Sequence, residues 1–180
     1  MKRTFAAICC LALIAAPAFA QKKHAHEHAA ATPMTDQQFI DMAAQTDMLE
    51  AHLGQMAANQ ASSDDVKTYA QMLVTDHTND YQQLTEMAAK DNFTVPKGLD
   101  EEHNKMIAPF DKLNGKAFDE RYIHTMIEGH TKAIEVYTKE SNDAQNPDVK
   151  SYAAATLPTL NKHLDDAKGL EKKKPAAGAK

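Results

Sequence analysis

The sequence has almost no cysteine. Its only two, Cys9 and Cys10, lie within residues 1–20, where a basic start, a long apolar stretch and a small-x-small motif ending at Ala20 are typical of a secretory signal peptide. We therefore expect cleavage after Ala20 and a periplasmic or secreted protein. Once that segment is removed, neither a disulfide nor a thiolate ligand remains, so histidine, carboxylate, methionine or backbone oxygen would have to hold any metal.

Arginine and long apolar runs are also scarce. Without Lys2 and Arg3, the 20 basic residues fall to 18 against 25 acidic ones, a formal charge of −7, and Arg121 is the only arginine left. This charge argues against nucleic acid or anionic lipid as a partner. After residue 20 no apolar run approaches the ~20 residues that span a bilayer, so no integral membrane segment is expected after cleavage. The sequence leaves open whether the protein forms a homodimer.

Strand-like alternation, a glycine-rich phosphate loop and a serine in a nucleophile context are all missing. Hydrophobic residues instead recur with helical spacing between a histidine-containing leader at 21–34, predicted to be flexible, and a basic tail at 171–180, predicted to be disordered. Capping signals mark the helix starts: Thr35 with Gln38, Ser62 with Asp65, and Asn146 before a proline. The predicted helices cover about 36–60, 63–91, 100–113, 116–144 and 147–170.

The four long predicted helices form two hairpins with tight turns near residues 62 and 146. The second helix of each hairpin begins with nearly the same motif, DVKTYA at 65–70 and DVKSYA at 148–153. A connection of about 24 residues with a short helix joins the hairpins and is long enough to cross helices of about 40 Å. The bundle domain at 35–170 is therefore predicted to be all-α and ferritin-like, with a simple up-down four-helix bundle as the alternative.

One ionisable residue lies in the middle of the apolar stripe of each long helix: Glu50, His77, His130 and His163. At 100° per residue, the apolar side chains of the first helix fall within about 60° of Glu50, whereas His52 points away. Each of the four lies roughly 12 to 17 residues from a hairpin turn, so the members of one hairpin differ in height by only about 2 to 5 Å. The hairpins thus bring all four to one level of the bundle.

Buried charge is costly unless it is paired or bound to metal. Two interpretations of these four buried residues therefore stay open. One is a hydrogen-bonded Glu-His network that sets the register of the helices. The other is a centre of three imidazoles and one carboxylate for a single divalent transition metal, Zn²⁺, Cu²⁺, Mn²⁺ or Fe²⁺. Asp76, about 100° around its helix from His77, either orients a ligand from outside, adds a further ligand, or is a solvated flank residue.

The chain resembles a bacterial family, the domain of unknown function 4142, over residues 34–170. The stretches that carry the resemblance are FIDMAAQTDMLEAHLGQMA, VKTYAQMLVTDHT, FDERYIHTMIEGH and VKSYAAATLPTLNKHL. The resemblance implies an exported, ferritin-like helical bundle and no particular biochemical activity. It points to the same candidate site, made of Glu50, Asp76, His77, His130 and His163.

The di-iron pattern of catalytic ferritin-like proteins is missing. That pattern needs a Glu from each of two helices and a Glu-x-x-His from each of the other two. Here Val74 stands three residues before His77, and Leu160 stands three before His163. Ferroxidase, oxygenase or catalase chemistry is therefore not expected.

Three functions follow from these features. The first is a periplasmic protein that binds or buffers one metal ion, the second a structural or stress-related bundle with a purely hydrogen-bonded polar core, and the third an oxidative-stress metalloenzyme. An enzyme is the less favoured class. The leader histidines His24, His26 and His28 are either a second, weaker metal site or part of a soluble spacer.

Overall fold

A computed structural model describes residues 34–173 of the chain. The described part contains no strand. Its elements are α1 Asp36–Gln60, α2 Asp64–Lys90, the short α3 Glu101–Ile107, a 3₁₀ turn Ala108–Phe110, α4 Gly115–Asp143 and α5 Pro147–Lys173. Within the same residues, no helix combines the length and the apolar character needed to cross a membrane.

The first two long helices begin at side-chain caps. Thr35 and Gln38 form the expected capping box at the start of α1, each side chain bonding the other's backbone amide. The α2 cap is Ser63, whose hydroxyl accepts from the amide of Val66, so the prediction of Ser62 was wrong by one residue. Ser62 is used elsewhere, because its hydroxyl donates to Asp119 of α4 at 2.6 Å.

The long helices form a ferritin-like four-helix bundle, which confirms the predicted fold. Each of α1 and α5 packs against both α2 and α4. At one end the backbone amides of Gln145 and Asn146 donate to Asp36, and at the other Ser62 contacts Asp119. These contacts make α1 antiparallel to α4, so the chain must return along the whole bundle between its two hairpins.

The returning segment, residues 91–114, lies along α1 and is held by glutamines. Gln45 donates to the carbonyl of Gly98 at 3.1 Å and accepts from the amide of Asp100 at 3.0 Å. Its helical part is shorter than the predicted 100–113, because α3 ends at Ile107 and a 3₁₀ turn follows. Pro109 lies in that turn and has no N–H to continue an α-helical ladder, which explains the early end.

The last helix is longer than predicted. It continues to Lys173, three residues into the segment expected to be a disordered tail. Lys172 and Lys173 lie in its last turn, where cations interact favourably with the helix dipole, and Lys173 pairs with Asp65 at 3.1 Å.

The core is divided into two apolar clusters by a polar layer. One cluster includes Phe39, Leu84 and Tyr137, and the other includes Leu73 and Phe118. On α2, α4 and α5, the predicted ionisable residue lies between the positions that enter the two clusters, and on α1 Glu50 directly follows Leu49, the first position that enters the cluster of Leu73. The polar layer is made of Glu50, His77, His130 and His163, all buried.

Candidate metal centre

The four predicted side chains meet at the middle of the bundle. Glu50 Oε2 lies 2.9 Å from His77 Nε2 and 3.3 Å from His130 Nε2. His130 Nε2 lies 3.1 Å from His163 Nδ1. The three histidines each offer a nitrogen within 4.8 Å of the others, and none of the three is more than 3% exposed.

The outward nitrogen of each imidazole is held by an oxygen. His77 Nδ1 lies 2.8 Å from Asp47 Oδ1, and His163 Nε2 lies 2.9 Å from Asp76 Oδ2. His130 Nδ1 lies 2.9 Å from the carbonyl oxygen of Met126. Carbonyl and ionised carboxylate oxygens only accept hydrogen bonds, so with both carboxylates ionised each outward nitrogen carries the proton. In a neutral imidazole the other nitrogen then presents a lone pair.

Lone pairs therefore converge on the centre of the layer. The inward atoms are His77 Nε2, His130 Nε2, His163 Nδ1 and Glu50 Oε2, and with neutral rings none of them brings a proton. His77 Nε2 and Glu50 Oε2 lie 2.9 Å apart, and neither atom has a hydrogen-bond partner elsewhere among the described residues. Such a buried arrangement is costly unless a cation, either a proton or a metal ion, sits among the four atoms.

The charges of the cluster are strongly coupled. Burial would raise the pKa of Glu50, but His130 and His77 lower it to about 2. Burial would lower the pKa of His77, but Glu50 and Asp47 raise it well above its usual value. For His163, burial outweighs the bond to Asp76 and lowers the pKa to about 4. The layer thus combines an ionised glutamate, an imidazole that favours protonation, His77, and one that resists it, His163.

The spacing of the inward atoms fits a small cation. Four ligand atoms about 2.0–2.1 Å from a tetrahedral zinc ion lie about 3.3 Å from one another. Three of the six separations among the inward atoms of Glu50, His77, His130 and His163 are 2.9, 3.3 and 3.1 Å, within a few tenths of an ångström of that value, and the three histidine nitrogens all lie within 4.8 Å of one another. The donor set, three imidazoles and one carboxylate, is one that transition metals accept.

Asp47 is a part of the site that the sequence prediction missed. Its side chain is 2% exposed, it holds His77 in place, and burial raises its pKa to about 7. A carboxylate behind a histidine is a common support of metal ligands, since it fixes the ring and its tautomer. A signal was available: Asp47 is one helical turn before Glu50, about 60° from it around α1.

Gly129 makes room for the carboxylate of Glu50. A Cβ atom at this position would come within 3.2 Å of Glu50 Oε1, closer than side chains usually tolerate. Because Gly129 has no side chain, Glu50 has room to reach the three histidines.

The remaining predicted residues have different environments. Asp76 is 36% exposed and contacts His163, which fits the expectation that it supports the centre from outside. His52 is exposed on the far side of α1, as predicted. His24, His26 and His28 lie outside the described residues.

The family model described as a domain of unknown function, DUF4142, matches residues 21–170 of the chain. The match covers the hairpins, the crossover and all five residues of the candidate site that the resemblance had indicated. No curated protein matches the chain significantly.

Several solved structures share the fold. CopM in its Cu(I)-bound form has a TM-score of 0.66 at 16% identity, covering 80% of this chain and 100% of that one. CopM in its Cu(II)-bound form gives 0.65 at 18% identity, with 79% and 99% covered. A DUF305 fragment from Deinococcus radiodurans gives 0.66 at 16% identity, with 78% and 99% covered. At these identities the likeness concerns the fold alone.

Proposed function

Since this chain belongs to the DUF4142 family, whose description states no activity, we propose its function from its own residues: it is an exported protein that binds and buffers one transition-metal ion. The ligands are Glu50, His77, His130 and His163, at the middle of the bundle. Asp47 and Asp76 hold two of the imidazoles from outside.

The observation that carries this proposal is the convergence of lone pairs. Each imidazole already gives its outward N–H to an oxygen, of Asp47, Met126 or Asp76. A hydrogen bond between His130 and His163 at 3.1 Å would then require one ring to hold a second proton. A metal ion takes up all four inward lone pairs at once and offsets the cost of burying them.

The donor set favours Cu²⁺ or Zn²⁺. Imidazole suits both ions, whereas Mn²⁺ prefers sites made of oxygen, and copper stands at the top of the affinity order of divalent metals. CopM, which has the same fold, is known in Cu(I)- and Cu(II)-bound forms. That likeness supports copper as the first ion to test.

Binding, without catalysis, fits the enclosure of the site. Four protein ligands complete a tetrahedron, whereas catalytic zinc sites keep one position open for water or substrate. Glu50 is the single carboxylate among the four ligands, so the set lacks the carboxylates that bridge two irons in ferritin-like enzymes. The residue pattern of 1–20 supports export, and N-terminal sequencing of the mature protein, expected to begin at Gln21, tests it.

A hydrogen-bonded core is the second candidate, and one observation favours it. Glu50 and Asp47 raise the pKa of His77 well above its usual value, so a proton on this ring is the competing cation. Under this alternative the polar layer only sets the register of the helices. The two candidates differ in whether the purified protein retains metal.

Metal content by mass spectrometry, on the full mature protein purified from its native compartment, is the decisive measurement. We expect about one Cu or Zn per chain, and loss of that ion in Glu50→Gln and His163→Ala. A triple His24, His26 and His28→Ala variant removes any leader contribution and should keep the ion. An exposed-histidine control, His52→Ala, should also keep it. Protein without metal, and without thermal stabilisation by either added ion, would leave the hydrogen-bonded core as the function of the layer.

A further inference from the structure

We propose that the metal ion enters and leaves through the cleft between α2 and α5, and that Asp76 and His163 form its gate. This inference rests on the metal-binding function proposed above. It adds a route and a moving ligand to a centre whose residues are all buried.

Two clefts of about 270 Å³ reach the polar layer from opposite sides. The cleft between α2 and α5 contains His77 and His163 of the layer. The cleft on the α1 and α4 side contains only Glu50 of the layer. The other residues of the α2–α5 cleft are Asp76, Asn79, Asp80, Gln83, Ala155, Thr156, Thr159, Leu160 and Lys162.

The side chains that line the two clefts differ in polarity. A hydrated divalent cation needs oxygen ligands while it sheds water. On the α2–α5 side it meets Asp76, Asp80 and Asn79. The wall of the other cleft is mainly apolar, and its exposed carboxylate, Glu128, lies 3.4 Å from His124 and shares the wall with Lys132. Lys162 does not neutralise Asp76, because its ammonium group pairs with Asp166 at 2.6 Å.

Asp76 lies between solvent and the buried centre. Its side chain is 36% exposed, and its Oδ2 holds His163 Nε2 at 2.9 Å. Among the described residues its second oxygen has no hydrogen-bond partner, so it remains available to a cation. The carboxylate therefore offers the last accessible ligand before the buried imidazoles.

His163 is the imidazole best placed to move. The partner of His77 is Asp47, which is 2% exposed, and the partner of His130 is a backbone carbonyl of its own helix. Only His163 is held by a side chain at the solvent boundary. Pro158, inside α5 and just over one turn before His163, provides no N–H to the carbonyl of Ala154, so this part of α5 lacks one ladder hydrogen bond.

A pair of matched substitutions tests the route. Thr159, exposed in the α2–α5 cleft, and Thr125, half-buried in the other cleft, are each replaced by phenylalanine. Stopped-flow mixing of the apo protein with Cu²⁺ or Zn²⁺ measures uptake, and transfer of the bound ion to a chromophoric chelator measures release. We expect Thr159→Phe to slow uptake and release at least tenfold, with Kd within twofold of wild type, and Thr125→Phe to change neither rate by more than twofold.

A second variant guards against a local effect of one substitution. Ala155→Phe fills the same cleft from another exposed position of α5 and should slow both rates in the same way. Slower exchange in Thr125→Phe alone, or unchanged rates in both α5 variants, overturns the route while leaving the metal centre intact. A wild-type protein that takes up neither ion overturns the centre and the route together.

Discussion

Asp47 and His77 form a buried pair that joins α1 to α2, with Oδ1 and Nδ1 2.8 Å apart. The pair fixes which nitrogen of His77 faces the other histidines. Asp47 thus acts on the proposed metal through His77, without reaching the centre itself.

Replacing Asp47 by asparagine should weaken metal binding by about 10- to 100-fold, the usual effect of losing a carboxylate behind a histidine ligand. The ring of His77 loses both its orientation and the charge that makes it a stronger donor. Isothermal titration of the apo protein with Cu²⁺ or Zn²⁺ measures the change. Asp165→Asn, on the exposed face of α5, should leave Kd unchanged. Equal affinities in all three proteins would remove Asp47 from the site.

Replacing Gly129 by alanine should also weaken metal binding, because the new methyl group meets Glu50 Oε1 at 3.2 Å and pushes the carboxylate away. Gly169→Ala is the matched control, since a Cβ atom there meets nothing within 4 Å. Both glycines are in helices, and alanine has the higher helix propensity, so each substitution should stabilise its helix by roughly 1 kcal/mol.

Titration and thermal unfolding together separate the two effects of these glycine variants. Gly169→Ala should raise Tm with Kd unchanged, and Gly129→Ala should raise Kd. Unaltered metal affinity in Gly129→Ala would mean that the position of Glu50 has no influence on binding.

The contribution of His163 to the stability of the apo protein should fall as the pH falls from about 6.5 toward 4. Burial lowers the pKa of His163 from 6.5 to about 4. Between these two pH values, His163 is protonated in the unfolded chain and neutral in the folded one. This contribution is complete above pH 6.5 and decreases on acidification by about 3 kcal/mol.

Urea unfolding at several pH values measures this loss. Because the pKa values of His77 and Asp47 are raised and act in the opposite direction, the comparison with His163→Gln isolates the contribution. On going from pH 6.5 to 4, the change in the free energy of unfolding should be less unfavourable in the variant than in the wild type. Parallel curves for the two proteins would contradict the assignment.

Replacing Gln45 by alanine should loosen the crossover and reduce the free energy of unfolding by about 1–3 kcal/mol, because its buried amide holds Gly98 and Asp100. Hydrogen exchange at the Asp100 amide reports the local opening. Gln55→Ala, an exposed position of the same helix, should change neither quantity beyond about 0.5 kcal/mol. Unchanged protection at Asp100 would show that other contacts hold this segment.

Much of the fold could be predicted because its signals are local. The 3.6-residue periodicity and the capping box at Thr35 gave α1 its observed bounds, and the remaining long helices were predicted within one residue at their starts. The ferritin-like order of the helices could be predicted because the crossover is long enough to run the full length of a helix. The predicted helix over 100–113 was too long, because the influence of Pro109 was overlooked.

The four residues of the polar layer were predictable for the same reason. Glu50, His77, His130 and His163 interrupt apolar stripes at similar heights, and helical hairpins bring equal heights together. Asp47 was missed, although it lies on the same face as Glu50, because an acidic residue one turn away is usually solvated. Its importance depends on His77, which is 30 residues further along the chain.

The sequence by itself determined which residues form helices and which ionisable side chains enter the core, since both depend on spacing along one helix. Only the tertiary structure decided what those side chains contact. Gln45 is on the polar side of α1, and it is buried only because the crossover lies over it. The proton positions of His77, His130 and His163 follow from oxygens on other turns and other helices, and contacts of this kind exist only after the helices pack.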